Sequence, residues 1–231
     1  MLDAKDKQQS SLIFFNPSDF RLFNPNTITC PTFTNRYEAE LCKKIYQKVP
    51  ILLEKTPNGN SVISNPWDIT FKRMFDMAND SQLFHTKSEL ISQHKQKLRE
   101  ENYSLSAANH RYFPLYEGRM IWHYNHRFNS MEFAVKGGKM KGKGKQLCLR
   151  ELKNPFYYAQ PNFWVAESEI RNNIEEYDRQ WFIVFRDIAD RRMERTFIPA
   201  IIPFSAVGNT IPLLLSKADR KSTRLNSSHY S

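Results

Sequence analysis

Glycine is scarce in this chain, cysteine is scarcer, and no apolar run is long. Seven glycines in 231 residues exclude a collagen-like repeat. Cys30, Cys42 and Cys148 are too few to staple the chain and too widely spaced for a paired zinc motif. No run approaches the ~18 apolar residues of a membrane-spanning helix. The start, Met1-Leu-Asp-Ala-Lys5, is too polar and mixed for a secretory leader. Acidic residues are also short: 24 Asp and Glu face 34 Lys and Arg, a formal charge of +10. Aromatics, in contrast, make up 13% of the chain, too many for a solvated coil. The composition reads as a basic, cytoplasmic globular protein of one large or two small domains, with no membrane association. Positive charge with abundant aromatics points toward nucleic acid.

The scarce glycine is concentrated. Lys136-Gly-Gly-Lys-Met-Lys-Gly-Lys-Gly-Lys145 holds four of the seven glycines and five lysines: Lys136, Lys139, Lys141, Lys143 and Lys145. Glycine permits close backbone approach and lysine supplies point charges, so this loop is expected to lie along a phosphate backbone. Apolar patterns on either side, Met131–Val135 and Gln146–Leu149, predict two flanking strands. A nucleotide-cradling loop is not expected, because those motifs need fixed spacing and a following helix.

Elsewhere the pattern predicts a mixed α/β (α+β) fold of short strands and a few helices. Leu12–Phe15 and Phe20–Phe23 read as strands broken by Asn16-Pro17. Thr34 reads as a cap for a helix carrying Tyr37, Leu41, Ile45 and Val49 on one face and closed by Pro50. Residues 69–78 read as a short helix or strand, and 86–102 as a polar helix. Residues 115–133 show strand-like alternation, and 167–177 read as an acidic helix. Trp181–Phe185 and Phe197–Ile202 read as buried strands.

Candidate chemistry is sparse. His110, His123, Asn125 and His126 could be imagined as a nuclease site, but their aromatic surroundings favour stacking or hydrogen bonding. Glu151-Leu-Lys153 matches an acid-x-Lys pattern able to hold Mg²⁺ beside a water-activating lysine, with Glu132 a possible second acid. Asn65-Pro-Trp-Asp68 and Asn154-Pro-Phe-Tyr157 come close to the Asn-Pro-Pro-aromatic motif of base-flipping adenine methyltransferases. Both lack the second proline and a preceding glycine-rich cofactor loop, so they read as turns with a buried aromatic. Arg186, Asp187 and Arg195, beside two predicted strands, read either as a ligand-facing group or as an ion-pair network bracing those strands.

The order of the motifs carries a resemblance. Arg21-Leu-Phe-Asn-Pro-Asn-Thr27 and Cys30-Pro-Thr-Phe33 are followed by Pro114-Leu-Tyr-Glu-Gly-Arg-Met-Ile121 and Tyr124–Phe128. Phe185–Ala189, Glu194–Thr196 and Ala206-Val-Gly-Asn209 complete the series. It resembles the C-terminal target-recognition part of large adenine-specific DNA methyltransferases of restriction–modification and phage-defence systems. The resemblance implies a fragment that binds double-stranded DNA. The catalytic residues and S-adenosylmethionine would belong to the rest of the enzyme, and no cofactor or metal to this piece. It implies segments 1–105 as a link, 106–218 as the recognition region and 219–231 as a tail. The tail, with Arg220, Lys221 and Arg224 against Asp219, resembles sequencing-adapter read-through; without it the charge is about +8. Arg111, Arg119, Arg127, Arg186 and Asn209 join the five lysines as expected DNA contacts, since Arg can pair with guanine and Asn with adenine. The methylase or nuclease parts of the same system are possible partners. A Mg²⁺-dependent nuclease and a non-catalytic interaction domain remain the alternatives.

Overall fold

The computed structural model describes residues 12–49, 51–56, 59–94, 98–101, 103–107, 109–131, 135–136, 139–140, 144–174, 177–190 and 193–216. The fold is mixed α/β, as the patterning predicts. Two compact units divide the chain: Met1–Ile69 with Ser216–Ser231, and Thr70–Leu215. The division between these two units lies between Ile69 and Thr70.

The first unit opens with helix α1 (Pro17–Phe23), where strands were expected. Pro17 occupies the first helical position, and the Asp19 carboxylate accepts from the Asn16 amide at 2.9 Å. This start signal outweighs the β preference of the phenylalanines. Helix α2 (Arg36–Lys48) forms as expected, but Asn35 caps it, accepting from the Glu38 amide at 2.9 Å. Its packing face is not the predicted one. Tyr37, Leu41, Ile45 and Val49 are exposed and Ala39 is buried. Lys43 pairs with the buried Asp19 at 2.6 Å, and Tyr46 meets Phe23 at 5.5 Å. The Lys43 ammonium lowers the pKa of Asp19. Strands β1 (Glu54–Lys55) and β2 (Val62–Ser64) pair antiparallel. Asn65 forms a turn before β3 (Ile69–Lys72) through both its amide atoms, accepting from Ile69 N at 2.8 Å and donating to Ile69 O at 2.9 Å. Trp67 in that turn is 45% exposed, not buried.

The second unit is built on two sheets. Helix α3 (Lys87–Gln93), capped by Thr86, is shorter than predicted and gives way to strand β4 (Arg99–Glu101). Strands β5 (Ser104–Ala107) and β6 (His110–Tyr116) continue antiparallel. Tyr112 through Tyr116 are all buried, because β6 is central and covered on both faces. Past Tyr116 the chain makes a 3-10 turn (Gly118–Met120) instead of the strand expected over 115–133. Strand β7 (Asn129–Ser130) pairs with β10 (Lys145–Gln146), and between them the backbones of β8 (Val135–Lys136) and β9 (Lys139–Met140) form a small hairpin. The lysine segment is thus closed by a strand pair, with β7 ending one residue before the expected Met131–Val135 strand and β10 beginning one residue before Gln146. Leu149 begins helix α4 (Leu149–Lys153) rather than ending a strand.

Strand β11 (Trp164–Ala166) lies antiparallel on the other side of β6, followed by helix α5 (Glu167–Asn173), the predicted acidic helix. Strands β12 (Trp181–Phe185) and β13 (Pro199–Pro203) pair antiparallel over five residues, as their apolar runs suggest. Strand β14 (Ala206–Val207) runs parallel to β6, aligning Ala206 with Leu115 and Val207 with Tyr116. Pro114 sits where the ladder to β5 has ended at Tyr112 and that to β14 begins at Leu115, so its missing N–H costs little. Strand β15 (Leu213–Ser216) completes the second sheet, ordered β13-β12-β15-β3. The main core joins both sheets through Phe113, Leu115, Phe182, Val184, Ile202 and Val207. Among the described residues no helix is long and apolar enough to cross a membrane.

Candidate functional site

A cleft of about 410 Å³ opens in the second unit, lined by Arg73, Glu117, Gly118, Arg119, Arg186, Asp187, Ile188, Asn209 and Thr210. The lining comes from loops that follow β3, β6, β12 and β14. Parallel pairing of β6 with β14 makes both strands end at the same rim. Crevices outside the carboxyl ends of parallel strands commonly bind ligands in open α/β sheets.

Backbone bonds fix the rim. Gly208 N donates to Tyr116 O at 3.0 Å, and Asp187 N donates to Thr210 O at 3.0 Å. The Thr210 hydroxyl accepts from Gly118 N at 2.9 Å. Asn209 donates its amide to Asp76 Oδ2 at 2.9 Å. Asp76 also accepts from the backbones of Asn79 and Ala78, at 2.9 Å each, and these two bonds are the main reason its pKa is lowered.

Charge in the cleft is partly compensated. Arg73 pairs with Asp187 at 2.9 Å. Arg119 lies 3.4 Å from Glu117, a buried residue whose carboxylate also accepts from Asn162 Nδ2 at 2.7 Å. Arg186 has no carboxylate partner among the described residues. Its Nε and Nη2 donate to Ile121 O at 3.2 and 2.6 Å, and its guanidinium lies 4.8 Å from the centre of the Trp122 ring. Burial lowers its pKa, yet a guanidinium stays charged at neutral pH. Asp76, which accepts from Asn209, adds a third carboxylate near Arg73, so the three arginines are balanced in number, but Arg186 is held by a carbonyl and an indole rather than by a carboxylate.

Of the residues expected from sequence, Arg119, Arg186 and Asn209 come together here. Arg111 and Arg127 do not line the cleft. Arg111 donates to Ser104 Oγ at 3.0 Å and lies 5.0 Å from the centre of the Phe113 ring. Arg127 donates to the carbonyls of Asn154, Tyr157 and Leu152 at 2.7–2.8 Å, which makes it a brace for that turn. Lys145 pairs with Glu151 at 2.8 Å. Lys141 and Lys143 lie outside the described residues, as do the side chains of Lys136 and Lys139 and all of Glu132. Tail residues 219–231 are outside them too.

The ion-pair brace, one of the two readings of Arg186, Asp187 and Arg195, does not form among the described residues. Asp187 goes to Arg73, 114 positions away, and Arg186 goes to a carbonyl. Arg73, Glu117 and Thr210 were not foreseen as site residues. Nothing local to Arg73 marks it, whereas Glu117 and Thr210 lie in or beside motifs already notable in the sequence.

The alternative catalytic groups are engaged in structure. Glu151 caps α4 through Cys148 N at 2.8 Å, and the Lys145 ammonium together with that bond pulls its pKa down to about 2. His126 Nδ1 shares a hydrogen bond with the Tyr116 hydroxyl at 3.2 Å, and burial drives its pKa down to about 4. His110 lies apart from it, 6.0 Å from His94. Among the described residues no group of three His, Cys, Asp or Glu could hold a metal ion. Asn154 caps its own turn, accepting from Phe156 N at 3.0 Å, and Phe156 is 87% exposed rather than buried.

No protein-family model, curated protein or solved structure matches the chain.

Proposed function

We propose that the second unit is a DNA-binding module that seats the phosphate backbone and adjoining base edges of a duplex at the arginine cleft. One observation carries this reading: Arg73, Arg119 and Arg186 converge at the carboxyl ends of β3, β6 and β12, with Asn209 on the same rim. Guanidinium groups bind phosphate oxygens and guanine edges in the same planar, forked geometry, while Asn209 spends one amide N–H on Asp76. The chain's net charge of +10 and its lysine-rich segment add a sequence-independent attraction to the same polyanion.

The motif series further supports service in target recognition for an adenine-specific DNA methyltransferase of a restriction–modification or phage-defence system. The described residues do not fit the methyl-transfer site itself. Asn65 spends both amide atoms on Ile69, and Asn154 spends its carbonyl oxygen on Phe156, so neither is free to hold an exocyclic amine. S-adenosylmethionine and the transfer chemistry would then come from other parts of the system, which are also the expected protein partners.

Fluorescence anisotropy with a labelled mixed-sequence duplex over a salt series tests the reading. Expected is binding whose log affinity falls linearly with log salt, and which Arg186→Met weakens by about tenfold or more. Absence of salt-sensitive binding by the wild type would refute it.

A further inference from the structure

Trp122, His123, Tyr124 and Asn125 form a tight turn on the second unit. Trp122 N donates to Asn125 O at 2.8 Å, and Asn125 N donates back to Trp122 O at 2.9 Å. Tyr124 sits in the left-handed region with φ of 57°, a conformation that favours glycine and is an outlier for a bulky side chain. Its amide donates to Pro199 O at 2.8 Å, which pins the turn against β13.

The ring gains little within the protein. It is 79% exposed, and its one close aromatic neighbour is His123, with ring centroids 4.0 Å apart. Among the described residues the Tyr124 hydroxyl makes no hydrogen bond. Tyr103 offers a contrast. It too has positive φ, at 66°, but its hydroxyl donates to Pro155 O at 3.2 Å and its ring meets Tyr158 at 5.3 Å. At Tyr103 side-chain contacts help to hold the positive φ, whereas at Tyr124 backbone bonds alone hold the turn and the ring is left to solvent. Strained, over-determined backbone positions cluster where a side chain must be presented to a ligand.

Position decides which ligand. Trp122, two residues before Tyr124, is the ring under the Arg186 guanidinium and stacks on Phe128 at 5.1 Å. Two residues reach at most ~7 Å between Cα atoms, so the exposed ring of Tyr124 and the tryptophan that carries the Arg186 guanidinium are presented by the same four-residue turn. An aromatic face next to an anion-binding arginine matches the alternation of base and phosphate along a nucleic-acid strand.

We propose that Tyr124, buttressed by His123, is a base-stacking residue that engages an unstacked nucleobase next to the phosphate held at Arg186. This rests on the duplex-binding reading above and adds a local opening of the stack. Such opening is easier where a base is mismatched or unpaired.

The full chain is titrated against two duplexes that differ only in one mismatched pair, with 2-aminopurine beside that step. Wild type should prefer the mismatched duplex several-fold and change the 2-aminopurine fluorescence. Tyr124→Gly should lose about five- to hundred-fold in affinity for the mismatched duplex, together with the preference and the fluorescence change. Tyr124→Phe should keep all three. Because glycine relieves the positive φ, Tyr124→Gly should melt no lower than wild type, a result that a structural role for the ring would not give. If Tyr124→Gly binds both duplexes like wild type, or melts clearly lower, the stacking role is wrong while duplex binding stands. If wild type binds neither duplex, both readings fail.

Discussion

His126 offers a quantitative test of how the end of β6 is held. Its imidazole shares a hydrogen bond with Tyr116, whose backbone carbonyl in turn accepts from Gly208 at the rim. Burial, with a smaller contribution from Arg127, lowers its pKa from 6.5 to about 4. Above pH ~6.5 the ring is neutral in both folded and unfolded chains, and the fold has its full stability. As pH falls below that value the unfolded chain binds a proton that the folded chain refuses, so stability declines until the folded ring titrates near pH 4. At about 1.4 kcal/mol per pH unit the loss would reach about 3 kcal/mol. The ring is partly open to solvent, which reduces this to about 2 kcal/mol. Carboxylates also titrate as pH falls toward 4, so the measurement is a difference. Urea denaturation of wild type and His126→Asn is followed from about pH 7 to about pH 4. The asparagine amide can replace Nδ1 toward Tyr116 but cannot take up the proton. The gap between the two should shrink by about 2 kcal/mol as pH falls. A gap independent of pH would refute the claim that burial keeps His126 neutral.

Two further outcomes follow from other sites. Gly144 has φ of 72°, and a Cβ there would lie 2.6 Å from Ser130 O. Gly144→Ala should therefore cost about 2–3 kcal/mol by chemical denaturation, combining left-handed strain with a backbone clash; a loss under about 0.5 kcal/mol would contradict the geometry. Replacing Lys136, Lys139, Lys141 and Lys143 by Ser should weaken duplex binding and flatten its salt slope by up to about 0.9 for each phosphate no longer neutralised. Changing Lys145 as well should add little to that effect, because its ammonium is paired with Glu151; an unchanged slope in the fourfold variant would exclude the segment from the phosphate backbone.

The elements legible in the sequence were those whose signal is local. Helix α2 shows its four-residue spacing, and β12 and β13 show unbroken apolar runs, because each is decided by neighbours along the chain. Yet spacing did not reveal which face of α2 packs. The buried side is set by Asp19 on another helix, which draws in Lys43 and leaves Leu41 and Ile45 in solvent. At α1, Pro17 and the Asn16–Asp19 cap decided against the strand that the aromatic content suggested. The cleft was half legible. Arg119, Arg186 and Asn209 stood out by residue type within notable motifs. Arg73 did not, since its role exists only through an aspartate 114 positions away. Arg127 shows the reverse error: an arginine in a suggestive motif spends its donors on backbone carbonyls.

The scarcity of glycine bears on both proposed contact regions. Of the seven, four lie in the lysine segment, Gly59 serves a turn with φ of 72°, and Gly118 and Gly208 line or adjoin the cleft. At Gly208 a Cβ would come within 3.2 Å of Met77 Sδ and 3.4 Å of Tyr116 O. The parallel approach of β14 to β6 thus leaves little room for a side chain just where the two strands end. That approach is what brings Glu117-Gly118-Arg119 and Gly208-Asn209-Thr210 to one rim, since an antiparallel partner would carry Asn209 to the opposite end of β6. A chain that otherwise avoids glycine places six of its seven at the cleft and in the lysine segment. At Gly118, Gly144 and Gly208 the backbone comes close to another segment of the chain.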